Sequence, residues 1–326
     1  MPVKGYDKGL ICSPNGNTQQ YEIGQIYEID EAKCCHKGFH ACDNPLDVLN
    51  YYNLCESEFT EVEALGEIDR EQGDKDTKFA TTKIKIGAKL ELPTFIKASF
   101  DFLWEKCFKE NDSASGDNSQ LAASGDNSQL AASGDNSQLA ASGDNSQLAA
   151  SGDNSKLAAS GYNSKLAASG DNSQLAASGY NSKLAASGDN SKLAASGDNS
   201  KLAASGYNSK LAASGDNSQL AASGYNSQLA ASGYNSKLAA SGDNSQLAAS
   251  GDNSKLEMSG ENSVGAAIGI DNKIKGVKGC WITLAEWEYN GERYIPICVK
   301  SAQIDGDILK DDTWYMLQDG EFVEVE

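Results

Sequence analysis

The chain has 326 residues and a formal net charge of −19, with 46 acidic against 27 basic side chains. Such a balance favours solubility and repels anionic partners, and no basic stripe interrupts it, so direct nucleic-acid binding is not expected. No run of 18 apolar residues occurs, which removes a membrane-spanning helix.

The first residues, Met1–Leu10, lack the apolar core of a secretory signal. The eight cysteines are therefore expected as reduced thiols in the cytoplasm. Residues 1–112 read as a small α+β domain. A turn is expected at Pro14-Asn15-Gly16, then an alternating strand from Tyr21 to Ile29. A short helix over Pro45–Tyr52 would be capped by Asp43 or Asn44, and strands are expected at 61–67 and 81–92. Pro93–Lys109, rich in Phe, Leu and Trp, reads as an apolar helix that leads into the repeat region and covers its first coil. Both histidines of the chain lie between Cys34 and Cys42. Cys35, His40 and Cys42, with Cys12 or Cys55, form a candidate tetrahedral metal set, against a plainer reading as buried thiols beside a turn. A Cys/His nucleophile pair is a third reading.

From Ser115 the unit Ser-Gly-(Asp/Tyr)-Asn-Ser-(Gln/Lys)-Leu-Ala-Ala recurs every nine residues, sixteen times to Met258. Two degenerate units carry it to Gly276, so residues 113–276 are expected to form a β-solenoid. No unit can bury its leucine alone, and stacking solves that problem. Position six is Gln or Lys and must face water. Alternation then turns Ser119, Leu121 and Ala123 inward and Ala122 outward. The unit reads as a strand, Ser119–Ala123, and a turn, Ser124–Asn127, in which Gly and Asn tolerate left-handed backbone. Leu121, Leu130 and Leu175 represent the core column, and Asn118 and Asn127 a ladder of stacked amides. Tyr replaces Asp at position three in five units, at Tyr162, Tyr180, Tyr207, Tyr225 and Tyr234. These five are the candidate anchors of an interface, including one between copies of the chain. Spacings of both 18 and 27 residues occur among them, so they leave the coil length open. The small inward volume of Ser, Leu and Ala favours two close flat sheets and hence 18 residues per coil. Nine such coils make a rod of roughly 43 Å.

Residues 277–326 read as a small cap of antiparallel strands at 280–289, 293–300, 313–317 and 321–325. The Ala-Ser-Gly-x-Asn-Ser repeat, with the segment from Asn262 to Gly269, resembles the β-rolls of trimeric adhesin heads. Gly38–Tyr52 (GFHACDNPLDVLNYY), Lys83–Phe100 and Thr313–Val325 together resemble uncharacterised phage and prophage proteins that carry Ser/Ala/Gly-rich repeats. That resemblance implies a phage or prophage origin and brings no chemistry with it.

No cofactor is implied by any motif. Calcium would demand an acid where Tyr stands in five units. Mimicry of duplex DNA fails on magnitude: residues 113–267 hold thirteen acidic and eight basic side chains, a net of −5, where a 43 Å duplex carries about 25 charges. The expectation is a mainly β, non-enzymatic scaffold that binds protein partners. An inhibitor of a host enzyme or defence complex is the second reading, and an enzyme housed in the N-terminal domain the third.

Overall fold

The computed structural model describes the chain apart from residues 14–17, 71–75 and 111–112 and the side chains of 106–110. It divides into two compact units, Met1–Lys106 and Cys107–Glu326. The expected turn at Pro14-Asn15-Gly16 falls outside the described residues.

The first unit is built on nine strands: β1 (Val3–Tyr6), β2 (Ile11–Cys12), β3 (Gln19–Gln20), β4 (Ile26–Glu28), β5 (Phe39–Cys42), β6 (Glu58–Ala64), β7 (Ile68–Asp69), β8 (Lys78–Thr81) and β9 (Lys83–Lys89). Seven of them form one sheet in the order β4-β9-β6-β1-β5-β8-β7, and β2 pairs β3 apart from it. Tyr6, Phe39, Val62, Phe79, Ile84 and Ile86 are buried in its core. Gly5 is needed on β1 because any Cβ there would collide with the ring of Tyr52. Pro45–Asn50 is a 3-10 helix, started by the Asn44 side chain, which accepts from the Leu46 amide at 3.1 Å. The helix α1 (Leu92–Glu110) carries Pro93 in its first turn, where no amide donor is missed. It buries Phe95, Ile96 and Leu103, and Phe95 lies 4.9 Å from the ring of Phe59. The strand expected over 21–29 shrinks to β4, and that over 81–92 shrinks to β9, with Thr81 ending β8 and Leu92 opening α1. The central strands β1 and β5 have too little alternation to be seen in four residues.

The second unit is the solenoid. β10 (Ser113–Ala114) opens it, and from β11 (Gln120–Ala123) the strands recur every nine residues to β28 (Lys273–Gly276). Four strands close it: β29 (Trp281–Tyr289), β30 (Tyr294–Gln303), β31 (Trp314–Gln318) and β32 (Glu321–Val325). Even-numbered strands from β10 to β28 form one parallel sheet and odd-numbered strands from β11 to β29 the other. Each residue pairs with the one 18 positions on, as Leu157↔Leu175 and Leu175↔Leu193. The coil is therefore 18 residues, and the rod has about ten turns. Leu130 and Leu175 are each 1 % exposed, while Leu121 is only half-buried, on β11 at the end of its sheet.

Stacking satisfies the turn backbone almost completely. The amide of Asn190 donates to the Tyr207 carbonyl at 2.7 Å, that of Lys192 to Ser173 at 2.9 Å, and that of Ser196 to Ala177 at 3.1 Å. Buried Ser191 donates from Oγ to the Gly188 carbonyl at 2.8 Å. Asn at position four is left-handed in every unit, with φ of 61° at Asn118 and 60° at Asn127. Glycine at position two is not left-handed, which corrects the expected reason for it. A Cβ on Gly188 would strike the carbonyl of Gly170 one coil before, so glycine is there to let coils close up.

The irregular units compensate one another. Gly265 stands where leucine should, and Met258 fills the gap, its Cε 2.8 Å from where a Cβ would be. Glu257 and Lys275 occupy alanine positions on paired strands and bridge at 2.9 Å. The rod also runs past Gly276. Trp281–Leu284 pairs in parallel with Val264–Ala267 at a spacing one residue shorter, Gly279 turning at φ 94°. Cys280 takes the buried serine position and donates to the Gly260 carbonyl at 3.3 Å. Only then does the antiparallel cap begin, with β30 on β29 and β31 on β28.

Candidate functional site

Two turns per coil place position three on two opposite edges of the rod. Tyr162, Tyr180 and Tyr234 follow odd-sheet strands and lie on one edge; Tyr207 and Tyr225 follow even-sheet strands and lie on the other. The five expected anchors are thus not one patch. On each edge two of them form a pair of neighbours, with ring centroids 6.0 Å apart for Tyr162 and Tyr180 and 5.1 Å for Tyr207 and Tyr225. All five rings are exposed, and the hydroxyl of Tyr234 accepts from Asn253 at 3.5 Å.

The aspartates of the same column have a task that the sequence did not announce. Asp171 Oδ1 accepts the amide of Asp189 at 2.8 Å, and Asp189 Oδ1 that of Tyr207 at 2.7 Å. The carboxylate thereby ties each coil to the next. Where Tyr stands the coil above loses that acceptor, and at Tyr162 and Tyr207 it gains a ring-on-ring contact instead. The amide ladder expected at Asn118 and Asn127 is seen further along, between Asn145 and Asn163 at 3.2 Å and between Asn217 and Asn235 at 2.8 Å.

The broad faces differ. On the odd sheet the outward alanines, such as Ala140 and Ala158, are exposed, as are Lys156 and Lys192. Two shallow grooves run along this face, one beside the Gln/Lys column and one beside the Ser column. On the even sheet Ala131, Ala149 and Ala167 are 0 % exposed, and Lys165 and Lys183 are buried. The expectation that position six always faces water holds on one sheet only. The strands are identical in sequence, so the difference is one of surroundings.

In the N-terminal unit the three candidate metal ligands are not gathered. The Nε2 lone pair of His40 is occupied by the Cys35 amide at 3.0 Å, Cys42 is buried and Cys35 is exposed. Among the described residues no group of three His, Cys, Asp or Glu side chains is placed to hold a metal ion. Burial, and then the charges of Lys4 and Lys78, push the His40 pKa down, against a bond to the Gly38 backbone. Cys35 itself has left-handed backbone, φ 66°. Beside it Lys78 donates to the Tyr51 hydroxyl at 2.8 Å, and Tyr51 donates to Asp76. Partial burial would lower the Lys78 pKa, but bonds to Tyr51 and Cys35 raise it further. This network fixes a loop to the sheet by using its own donors and acceptors. It joins side chains that sequence reasoning did not connect, because Tyr51, Asp76 and Lys78 have no motif spacing.

Residues 2–98 match the model of a family described as a domain of unknown function, DUF7666. No curated protein and no solved structure matches the chain. No helix among the described residues is long and apolar enough to cross a membrane.

Proposed function

We propose that the protein is a non-enzymatic scaffold of phage or prophage origin, a rigid rod whose faces and ends bind protein partners in the bacterial cytoplasm. One observation carries this reading: parallel pairing holds an 18-residue offset from Gln120↔Gln138 to Gln246↔Val264 with no insertion. Every outward column is then a straight row repeating at about 4.8 Å, and ten turns span roughly 48 Å. Inward Ser and Leu and the Gly, Asn and Asp of the turns serve stacking, so the sequence of the rod is spent on length and straightness. The resemblance of Gly38–Tyr52 and Thr313–Val325 to phage proteins supports the origin, and the paired tyrosines on each edge supply partner anchors.

Deleting Ser187–Ala204 removes one whole coil and tests the reading. The rod should shorten by about 4.8 Å in solution scattering while its melting midpoint stays put. Affinity capture from the producing cell should recover the same protein partners with either length. A chain that captures no protein, or one that turns over a substrate, would sink the scaffold reading.

A further inference from the structure

We propose that β30 is a dimerisation edge, to which a second copy of this chain adds its own β30, antiparallel, about a two-fold axis. β30 ends the 11-stranded sheet, and no other strand among the described residues pairs its outer side. An open edge of ten residues is a template for pairing unless it is guarded by charge, proline or a bulge. The even sheet ends on β32, which is half as long and has two acidic residues, Glu321 and Glu324, in its five. β30 has no acidic residue in Tyr294–Gln303, in a chain whose net charge is −19.

The guards that β30 does carry are confined to its first half or are paired. Pro296 sits where the pairing with β29 shifts register, opposite Trp287, near the strand's start. Lys300, its one cation, is held by the Gly320 carbonyl at 2.9 Å and by Glu321 at 2.5 Å. In the stretch from Val299 to Gln303 the one charge, on Lys300, is thus already paired. Its outward side is apolar as well: Val299 is 61 % exposed, Ile297 50 %, and Trp281 on the neighbouring strand 49 %. Val299 pairs with Ala285, four residues from Trp281, which puts both on one face. A strand whose charge is paired and whose exposed face is apolar is self-complementary in antiparallel pairing, since a two-fold axis sets residue i opposite j and j opposite i. An acidic chain gains by meeting its copy at a long edge strand that carries no acidic residue. Pairing at this edge is independent of the scaffold reading.

Light scattering and sedimentation of the purified full chain test it. The wild type should run at twice the chain mass. Val299→Glu and Ile297→Glu, both at exposed positions, should run at the single mass with unchanged melting midpoints. Val299→Thr should keep the dimer, and so should the combined change of Tyr162 and Tyr180 to Asp. A wild-type monomer, including one that instead adds a foreign strand to this edge, would overturn the proposal. So would a dimer that survives Val299→Glu, or one that the tyrosine changes abolish.

Discussion

The rod and the N-terminal sheet are both β, yet they are held together on different terms. In the rod Leu175 meets Leu157 and Leu193, and every other column repeats that 18-residue offset. In the N-terminal sheet Val3 lies opposite Glu61, and the Tyr6 hydroxyl is bonded to Thr60 at 3.0 Å. Each of those pairings occurs once, between segments far apart in sequence. A solenoid's stability is close to a sum over equal neighbour interfaces, so one coil can be lost or gained. The sheet has no spare part: removing β1 separates β5 from β6.

The largest expected effect sharpens that contrast. Leu175→Asp buries a carboxylate among Leu and Ala and should cost the rod at least about 3 kcal/mol. Melting followed separately in the two units should show the rod transition fall while that of the N-terminal unit stays. Equal falls would mean that the two units melt as one. Next comes a matched pair of glycine changes. Gly188→Ala drives a Cβ into the Gly170 carbonyl, and overpacking of this kind costs about 1–3 kcal/mol. Gly116→Ala, with its nearest atom 3.9 Å away, should be near neutral. If denaturant midpoints do not separate the two, close coil approach is not what glycine is for.

In the N-terminal unit the informative residue is Lys4, buried on β1. Its amine faces the His40 carbonyl at 3.3 Å, the rings of Tyr6 and Tyr21 at 5.2 and 5.3 Å, and the thiols of Cys12 and Cys42. Burial pushes its pKa below the usual 10.5, with the Cys12 thiol partly opposing. Between the lowered value and 10.5 the unfolded chain binds the proton more readily than the folded one. Stability of this unit should therefore rise with pH through that window, and below it the burial penalty is felt in full. Lys4→Met should flatten the slope and raise stability at neutral pH by about 1–3 kcal/mol. Chemical denaturation across that pH range checks both, and a loss of stability would mean that the carbonyl and ring contacts outweigh desolvation. The smallest effect belongs to the surface of the rod. Lys192→Gln, an exchange between exposed residues that the repeat already makes, should stay within about 0.5 kcal/mol.

The sequence by itself determined the rod: its period, the inward leucine and serine, and the turn at Asn were each written many times over. An error at one unit, such as Gly265 for leucine, could not hide a column that seventeen other units repeat. Coil length came from inward volume, because Ser, Leu and Ala fill only a thin slab. Tertiary structure alone decided what repetition does not encode. It set Tyr162 and Tyr207 on opposite edges, since that depends on the parity of the unit and not on the residue. It buried Ala167 and left Ala158 exposed, although the strands that hold them are both KLAA. It also built β1 and β5 into the middle of a sheet. Four residues such as Val3–Tyr6 or Phe39–Cys42 carry too short a pattern to announce a strand, and only the distant partners that pair with them make them one.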